Sequence, residues 1–421
     1  MGRAVSMKVD IGDAESSVCK DGAWIACPWR RMTPKTLNHE RMPLASFEYQ
    51  ETEIKTRKRS PYRFLLYLPS LFLALLFLAP QEGIRQIDVP QFFAVGHILR
   101  EGKIARLYDH DSYRNFIALA GNNSLYYNRP PFHALALLPF GYMSYSTFLL
   151  IAKIGSYLLF ALAVWLIPRW FPGITHARPL LLCFPPFLYS VAVGQDTILL
   201  TLIVGYGAYL ILRNKDLAGG VTLALGLFKP HLLWAVPIAL AAQRRWRALF
   251  GFCGMSLLLA ILSLALIGPH GIGQWLEVLK APTTDIMPEQ MGNIRGLSYR
   301  IGTVPSLAIA GVAAVAFVVC AWKRSTQVAL AAALFVGPLL VPHSYLQDYS
   351  PGAIAALLSP YPANSFVVLI PWELFWPEKT ISGIPFALTG LVFLCVLAFW
   401  PFIEAKSLKV RKSRGIRQNE I

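Results

Sequence analysis

The sequence predicts an all-α integral membrane protein that crosses the bilayer about ten to twelve times. Hydrophobic residues make up 55% of the 421 residues and charged residues only 15%, whereas soluble domains carry about 25% charged residues. The apolar residues form blocks close to the ~20 residues that cross a bilayer as a helix. The basic residues stand in short segments between these blocks, which is the positive-inside pattern of membrane proteins.

Long apolar runs define the predicted spans. The first leads into a long loop on the outer side that extends to residue 144, and two later runs are so short that we expect broken or tilted helices. The last run precedes a basic C-terminus, and whether one or three passes follow residue 343 stays open. The predicted spans are 64–80, 147–168, 179–193 (interrupted at Pro185), 197–212, 219–228, 232–242, 248–267, 304–322, 328–341 and 385–403.

The chain ends are polar. Residues 1–60 are mixed in charge and lack a hydrophobic core, so we expect a poorly ordered cytoplasmic tail before a membrane domain at 61–404 and a basic cytoplasmic tail at 405–421. The net charge of +16 reports membrane orientation, because it lies in loops and tails beside the apolar runs. We therefore expect the lipid bilayer as a partner and no nucleic acid. The six cysteines predict neither a disulfide framework nor a zinc site.

The loops opposite the basic segments hold most of the remaining polar residues. They are residues 81–144, VGQDT from 193, FKPH from 228, residues 268–303 and PHSYLQDYSP from 342. Polar groups at membrane depth are costly and are usually functional, so we expect one site on the outer side. Ordinary solvated loops are the alternative, although FKPH and VGQDT stand between closely spaced hydrophobic runs.

Asp88 follows the first predicted span in IRQIDVPQFF. The next stretch, FFAVGHIL, is expected to form a short amphipathic helix, and the Asp88 carboxylate could cap it. The same carboxylate could act as a general base that removes a proton from a hydroxyl. The residues alone leave both roles open.

Two segments after Asp88 offer further candidates. Tyr127 and Arg129 stand in LYYNRPPFHALALLP, where tyrosines could form an interfacial aromatic belt or stack on a sugar ring or an isoprenoid. Gln195 and Asp196 stand in VGQDTILL. Asp196 is well placed to cap the following helix.

Two other segments carry cations. Lys229 and His231 stand between two predicted spans in LGLFKPHLL, where the lysine could snorkel to the surface or hold a phosphate. Asn293 and Arg295 stand in MGNIRGLSYR. An arginine on the outer side departs from the positive-inside pattern, and its planar fork suits a phosphate.

His343 lies at the outer end of a predicted span, five residues before Asp348. A single histidine is more often structural than catalytic, but this position makes it a candidate. No serine-hydrolase, zinc-protease, phosphate-loop or dinucleotide motif is present in the sequence.

In their order along the chain, these segments resemble glycosyltransferase family 87, in the GT-C class of membrane glycosyltransferases. The resemblance rests on IDVPQFFAVGHILREGKIARLYD, YYNRPPFHALALLP, VGQDTILL, LAGGVTLALGLFKPHLL, RRWRAL, GNIRGL and VPHSYLQDY. It implies a GT-C-like bundle with a long first external loop.

Characterised members of this family look like polyprenyl-phosphate-mannose-dependent α-mannosyltransferases. The resemblance therefore implies transfer of a hexose, namely mannose, from a polyprenyl-phosphate donor to a lipid or glycan acceptor on the outer side of the plasma membrane. It implies that Asp88 is the general base and that His343 lies near the donor phosphate. Charge and sidedness add Asn293, Arg295, Lys229 and His231 as further candidates for binding that phosphate.

Enzymes of this class that use lipid-phosphate sugars generally need no metal, so we expect no cofactor. A transporter or flippase of a lipid-linked sugar is the main alternative, and an inactive scaffold is another. Transporters are commonly built from internal repeats, and this sequence shows no clear repeat.

Overall fold

A computed structural model describes residues 89–109, 127–172, 177–280, 291–359, 388 and 390–399 of the chain. These ranges contain helices and connecting turns and no strand, which agrees with the predicted all-α class. The first predicted span, both tails and Asp88 lie outside the described residues.

The α-helices of the described part are named here in chain order. They are α1 (Val89–Arg100), α2 (Pro131–Ala134), α3 (Tyr145–Trp170), α4 (Ala177–Leu182), α5 (Pro185–Val193), α6 (Thr197–Leu212), α7 (Asp216–Leu225), α8 (Pro230–Leu233), α9 (Ala235–Ala242), α10 (Trp246–Lys280), α11 (Ile294–Ile301), α12 (Thr303–Lys323), α13 (Thr326–Leu340), α14 (Gly352–Leu358) and α15 (Gly390–Phe399). Short 3-10 segments occur at Ile104–Arg106, Leu135–Tyr142, Gly226–Phe228 and Leu346–Tyr349.

Three described helices are long and apolar enough to cross a membrane, namely α3, α10 and α12. Each covers one predicted span. The predicted spans 197–212, 219–228, 232–242 and 328–341 fall on shorter apolar helical segments, and 179–193 is divided between α4 and α5. The total of ten to twelve crossings therefore stays a prediction.

Local sequence signals set several helix ends. The break predicted at Pro185 is confirmed, because α4 ends at Leu182 and α5 begins at this proline, whose fixed φ suits a first helical position. The predicted end of a span at residue 267 is also confirmed. Gly268 has a non-helical backbone (φ 68°, ψ 176°), so α10 consists of two helices joined at a kink, the second of which ends at Lys280. Glycine adopts this positive φ without the penalty that a Cβ atom would bring.

Helix α1 is not the amphipathic surface helix expected for FFAVGHIL. Every residue from Val89 to Leu99 is buried except His97, which is half-buried, and only Arg100 is exposed. The segment Leu135–Tyr142 covers this helix closely, because Gly96 and Gly141 let the two backbones meet without a Cβ atom between them.

The buried apolar side chains form two clusters. The larger cluster packs residues of α3 through α15 together. The smaller one contains α1, Tyr127, α2 and the beginning of α3, and it reaches Ile267 in α10. The candidate site lies at the boundary between the two clusters.

Three basic loops meet at one end of the helices. The Arg245 guanidinium donates to Asn214 in the α6–α7 loop at 3.2 Å and to Asp216 at the beginning of α7 at 3.3 Å. It also donates to Thr326 at the beginning of α13, at 3.5 Å. Helices α6, α7 and α13 each have one end here, so the other ends of α6 and α13 lie about 20 Å or more away along the helix axes.

Helices α7 and α10 approach closely at Gly220. A Cβ atom on this residue would overlap the carbonyl oxygen of Ala248. We expect Gly220→Ala to lower the free energy of unfolding by about 1–3 kcal/mol, because the two helices must separate. Thermal denaturation in detergent measures the change.

Gly254 in α10 supplies the matched control, because a Cβ atom there meets nothing within 4 Å. Gly254→Ala is expected to be neutral or stabilising by up to ~1 kcal/mol, since alanine favours the helix. Equal losses in the two variants would contradict the close-contact explanation.

Candidate functional site

The turn between α5 and α6 presents Gln195 and Asp196. Gly194 ends α5 with a left-handed φ of 74°, and the backbone N–H of Gln195 donates to the Ser190 carbonyl at 2.9 Å. Asp196 occupies the N-cap position of α6, but its side chain makes no capping hydrogen bond. Its carboxylate is engaged with cations from other segments.

Arg129 is the first of these cations. It is buried, and its Nη2 atom donates to Gln195 Oε1 and to Asp196 Oδ1, both at 2.9 Å. The Tyr108 hydroxyl donates to the Arg129 carbonyl at 2.5 Å. Arg129 therefore ties the segment before α2 to the α5–α6 turn.

Lys229 is the second cation, and it does not snorkel to the surface. Its side chain is only 2% exposed, and its Nζ atom lies 3.6 Å from Asp196 Oδ1. The ammonium donates to Gln195 Oε1 at 2.9 Å and to Asp348 Oδ1 at 2.7 Å. A buried ammonium is tolerated only with such partners, because taking it out of water costs several kcal/mol.

Asp348 ends this chain of charges. Its Oδ2 atom accepts the Tyr345 backbone N–H at 3.0 Å. Burial by itself would raise the pKa of Asp348, but Lys229, His231 and the two hydrogen bonds outweigh burial and hold this pKa well below its usual range. The carboxylate therefore stays ionised at neutral pH.

Asp196 is held in the same way. Burial would raise its pKa, but Arg129, Lys229 and His133 lower it below the ordinary value. The chain Arg129–Asp196–Lys229–Asp348 thus contains two cations and two anions, and its formal charge is zero. We call these four residues the buried ion chain.

His133 touches the buried ion chain and is missing from the residues that the sequence singled out. Tyr127 Oη lies 2.8 Å from His133 Nδ1, and His133 Nε2 lies 3.7 Å from Asp196 Oδ2. Burial, with Arg129 and Lys229, lowers the pKa of His133 to about 4 although Asp196 opposes the shift. A neutral ring that accepts from the tyrosine carries its proton on Nε2, facing the carboxylate.

Tyr127 is buried at 1% exposure, which excludes the interfacial belt that the sequence left open for it. Its partner, His133, stands four residues after Arg129 in RPPFH. Nothing in that local pattern distinguishes a ligand of Asp196 from a surface histidine.

Three groups lie beside the buried ion chain without belonging to it. His231 and His343 are half-buried and Arg295 is exposed. Burial lowers the pKa of His343. The positive charges of Lys229 and Arg295 lower this pKa further, whereas the negative charge of Asp348 raises it. The His343 ring meets the Tyr345 ring edge-on at 5.1 Å, and in the described part of the chain neither histidine makes a hydrogen bond.

Asn293 lies close to His343 in the fold, but its side chain makes hydrogen bonds to the backbone of the protein itself. Its Oδ1 atom accepts the Gly296 N–H at 3.0 Å and caps α11, and its Nδ2 atom donates to the Val341 carbonyl at 2.8 Å. The neighbouring Gly292 N–H donates to the Ser344 carbonyl at 3.1 Å. This side chain is fully buried, so its visible role is to hold the loop that carries His343.

Asp88 lies outside the described residues, so its side chain is not placed. Helix α1 follows it in the sequence, and the Phe92 ring of α1 lies 6.0 Å from the His133 ring. The first turn of α1 is therefore next to the buried ion chain. Among the described residues, no group of three His, Cys, Asp or Glu side chains is placed to hold a metal, and the expectation that no cofactor is needed stays a prediction.

The sequence model of glycosyltransferase family 87 matches residues 127–345, more than half of the chain. The chain belongs to glycosyltransferase family 87. It is accordingly a membrane glycosyltransferase, whose family acts on a lipid-linked sugar donor and an acceptor in a membrane. No curated protein and no solved structure matches it.

The matched range contains most of the site of this family 87 member. Arg129, Asp196, Lys229 and His343 all fall inside it, together with His133. Asp88 precedes the range and Asp348 follows it, so the match bears on neither.

Proposed function

We propose that this glycosyltransferase transfers a hexose, namely mannose, from a polyprenyl-phosphate donor to a hydroxyl of a lipid or glycan acceptor on the outer side of the plasma membrane. The observation that carries the proposal is the group formed by His231, His343 and Arg295. His231 and His343 lie within electrostatic reach of Lys229 and Asp348, and Arg295 lies within reach of His343. Their nitrogen donors thus stand near a buried ion chain that is already neutral. A phosphate that docks there meets hydrogen-bond donors without having to separate an internal ion pair.

The directions in which the helices run support an outer location for the site. Helix α6 begins directly after Asp196 and ends beside the basic loops, and α13 begins at those loops and ends shortly before His343. The positive-inside rule assigns the basic loops to the cytoplasm. The buried ion chain then lies towards the opposite membrane face.

The short helices also support a site below the membrane surface. Helix α6 has 16 residues and is about 24 Å long, whereas the hydrocarbon core is about 30 Å thick. A site at its outer end is therefore recessed into the bilayer, where the phosphate of a membrane-anchored donor can reach it while its isoprenoid chain remains in lipid.

The proposed reaction is a single inverting displacement. Asp88 takes the proton of the acceptor hydroxyl, whose oxygen attacks the anomeric carbon of the donor. The bond between that carbon and the phosphate oxygen breaks, and polyprenyl phosphate leaves with the electron pair. Donors from His343, His231 and Arg295 stabilise the charge that develops on the leaving oxygen.

Purified protein incubated with radiolabelled polyprenyl-phosphate mannose and a membrane glycolipid extract tests the proposal. We expect label in a new glycolipid and release of polyprenyl phosphate. Polyprenyl-phosphate glucose in a parallel reaction tests the choice of sugar. In sealed vesicles, movement of the labelled donor across the bilayer without transfer would contradict the proposal and favour the flippase.

A further inference from the structure

We propose that Lys229 is a positioning residue, which holds the loop of residues 341–349, and with it the His343 imidazole, through its ion pair with Asp348. The inference rests on the proposed role of His343 beside the donor phosphate. It differs from a direct role of Lys229 in binding that phosphate, which its charge alone had suggested.

The contacts of Lys229 argue against direct contact with a substrate. The side chain is 2% exposed. Its ammonium already faces three acceptor oxygens, from Asp348 at 2.7 Å, Gln195 at 2.9 Å and Asp196 at 3.6 Å. An ammonium has three N–H donors, so a phosphate could bind this group only by displacing an internal partner.

The 341–349 loop is fixed from two sides. On one side, Asn293 and Gly292 hold the carbonyls of Val341 and Ser344, the positions that bracket His343. On the other side, Asp348 holds the Tyr345 amide with one carboxylate oxygen and Lys229 with the other. His343 itself makes no hydrogen bond in the described part of the chain, so its place depends on these attachments.

Removal of Lys229 would leave the Asp348 carboxylate buried without its cation. An uncompensated buried charge is strongly unfavourable, so Asp348 is expected to turn towards water and release the Tyr345 amide. The loop would then lose its attachment at Asp348 and keep those at Asn293 and Gly292. A displacement of about 1 Å at a reacting group can cost ~100-fold in rate.

The test compares Lys229→Met with the double variant Lys229→Met/Asp348→Asn. The double variant buries no unpaired charge, and the asparagine oxygen can still accept the Tyr345 amide. We expect Lys229→Met to lower kcat about 100-fold, with the donor KM changed less than about threefold. The double variant should recover to within about tenfold of the wild-type kcat, because the neutral pair keeps the loop in place.

Amide hydrogen exchange of residues 341–349 gives a second readout that needs no activity. Exchange should be about tenfold faster in Lys229→Met and close to wild type in the double variant. Arg245→Met, which breaks an ion pair at the opposite end of the helices, should leave both the exchange of this loop and kcat unchanged. If Lys229→Met does not fold, the double variant is measured alone. A kcat within about tenfold of the wild type then supports the positioning role, and a raised donor KM contradicts it.

Unchanged loop exchange in Lys229→Met would overturn the proposal. So would a donor KM raised equally in the single and the double variant, because that pattern means direct contact of Lys229 with the phosphate. A wild-type protein that transfers no sugar from polyprenyl-phosphate donors would defeat the proposed function instead, and the exchange measurement would still decide the positioning role.

Discussion

Asp88→Asn is expected to abolish sugar transfer, with a loss of about 100- to 10,000-fold in kcat, the range that a general base contributes. Asparagine has nearly the shape of aspartate but cannot accept the acceptor's proton. Expression, membrane insertion and the elution volume in detergent should match the wild type. Transfer of label from polyprenyl-phosphate mannose measures the effect.

Glu101 offers a matched control for Asp88, because it is another acid of the first predicted outer loop. It forms an exposed ion pair with Lys103, and such pairs contribute little to stability. Glu101→Gln should leave transfer within about twofold of the wild type, since surface substitutions rarely exceed ±0.5 kcal/mol. Full activity in Asp88→Asn would rule out the base assignment and leave the helix cap as the role of this carboxylate.

Asp196→Asn is expected to lower the free energy of unfolding by about 3–5 kcal/mol, the cost of removing one partner of a buried ion pair. The substitution leaves Arg129 and Lys229 buried with one remaining anion, Asp348, which lies beside Lys229. Thermal or denaturant unfolding in detergent measures this loss. Asp216→Asn is the matched control at the half-buried ion pair with Arg245, and it should cost no more than about 1 kcal/mol.

The pH dependence of unfolding supplies an independent check on Asp196. Because its folded pKa is lowered, its contribution to stability is complete above the unfolded pKa of about 3.9 and is lost as the pH falls further. Between pH 5 and pH 7, the wild type should therefore keep a higher free energy of unfolding than Asp196→Asn. This range lies about one unit or more above the unfolded pKa of aspartate. Equal stability of the two proteins at pH 7 would mean that the buried ion chain is not a stabilising unit.

The sequence by itself determined the helical class and most of the apolar segments. The predicted span at 197–212 matches α6 in both ends, and the break at Pro185 is also present. These features follow from local causes, namely the length of an apolar run and the fixed φ of proline. The basic loops could likewise be assigned to one side, and Arg245 joins two of them in the structure.

Only the tertiary structure decided how the polar residues are used. The sequence offered Asp196 as a helix cap and Lys229 as a snorkelling cation, and it passed over His133. The partners of these groups come from distant segments, with 67 positions separating Arg129 from Asp196 and 119 separating Lys229 from Asp348. A polar residue takes the partner that lowers its burial cost most. That partner is known only when the helices have packed.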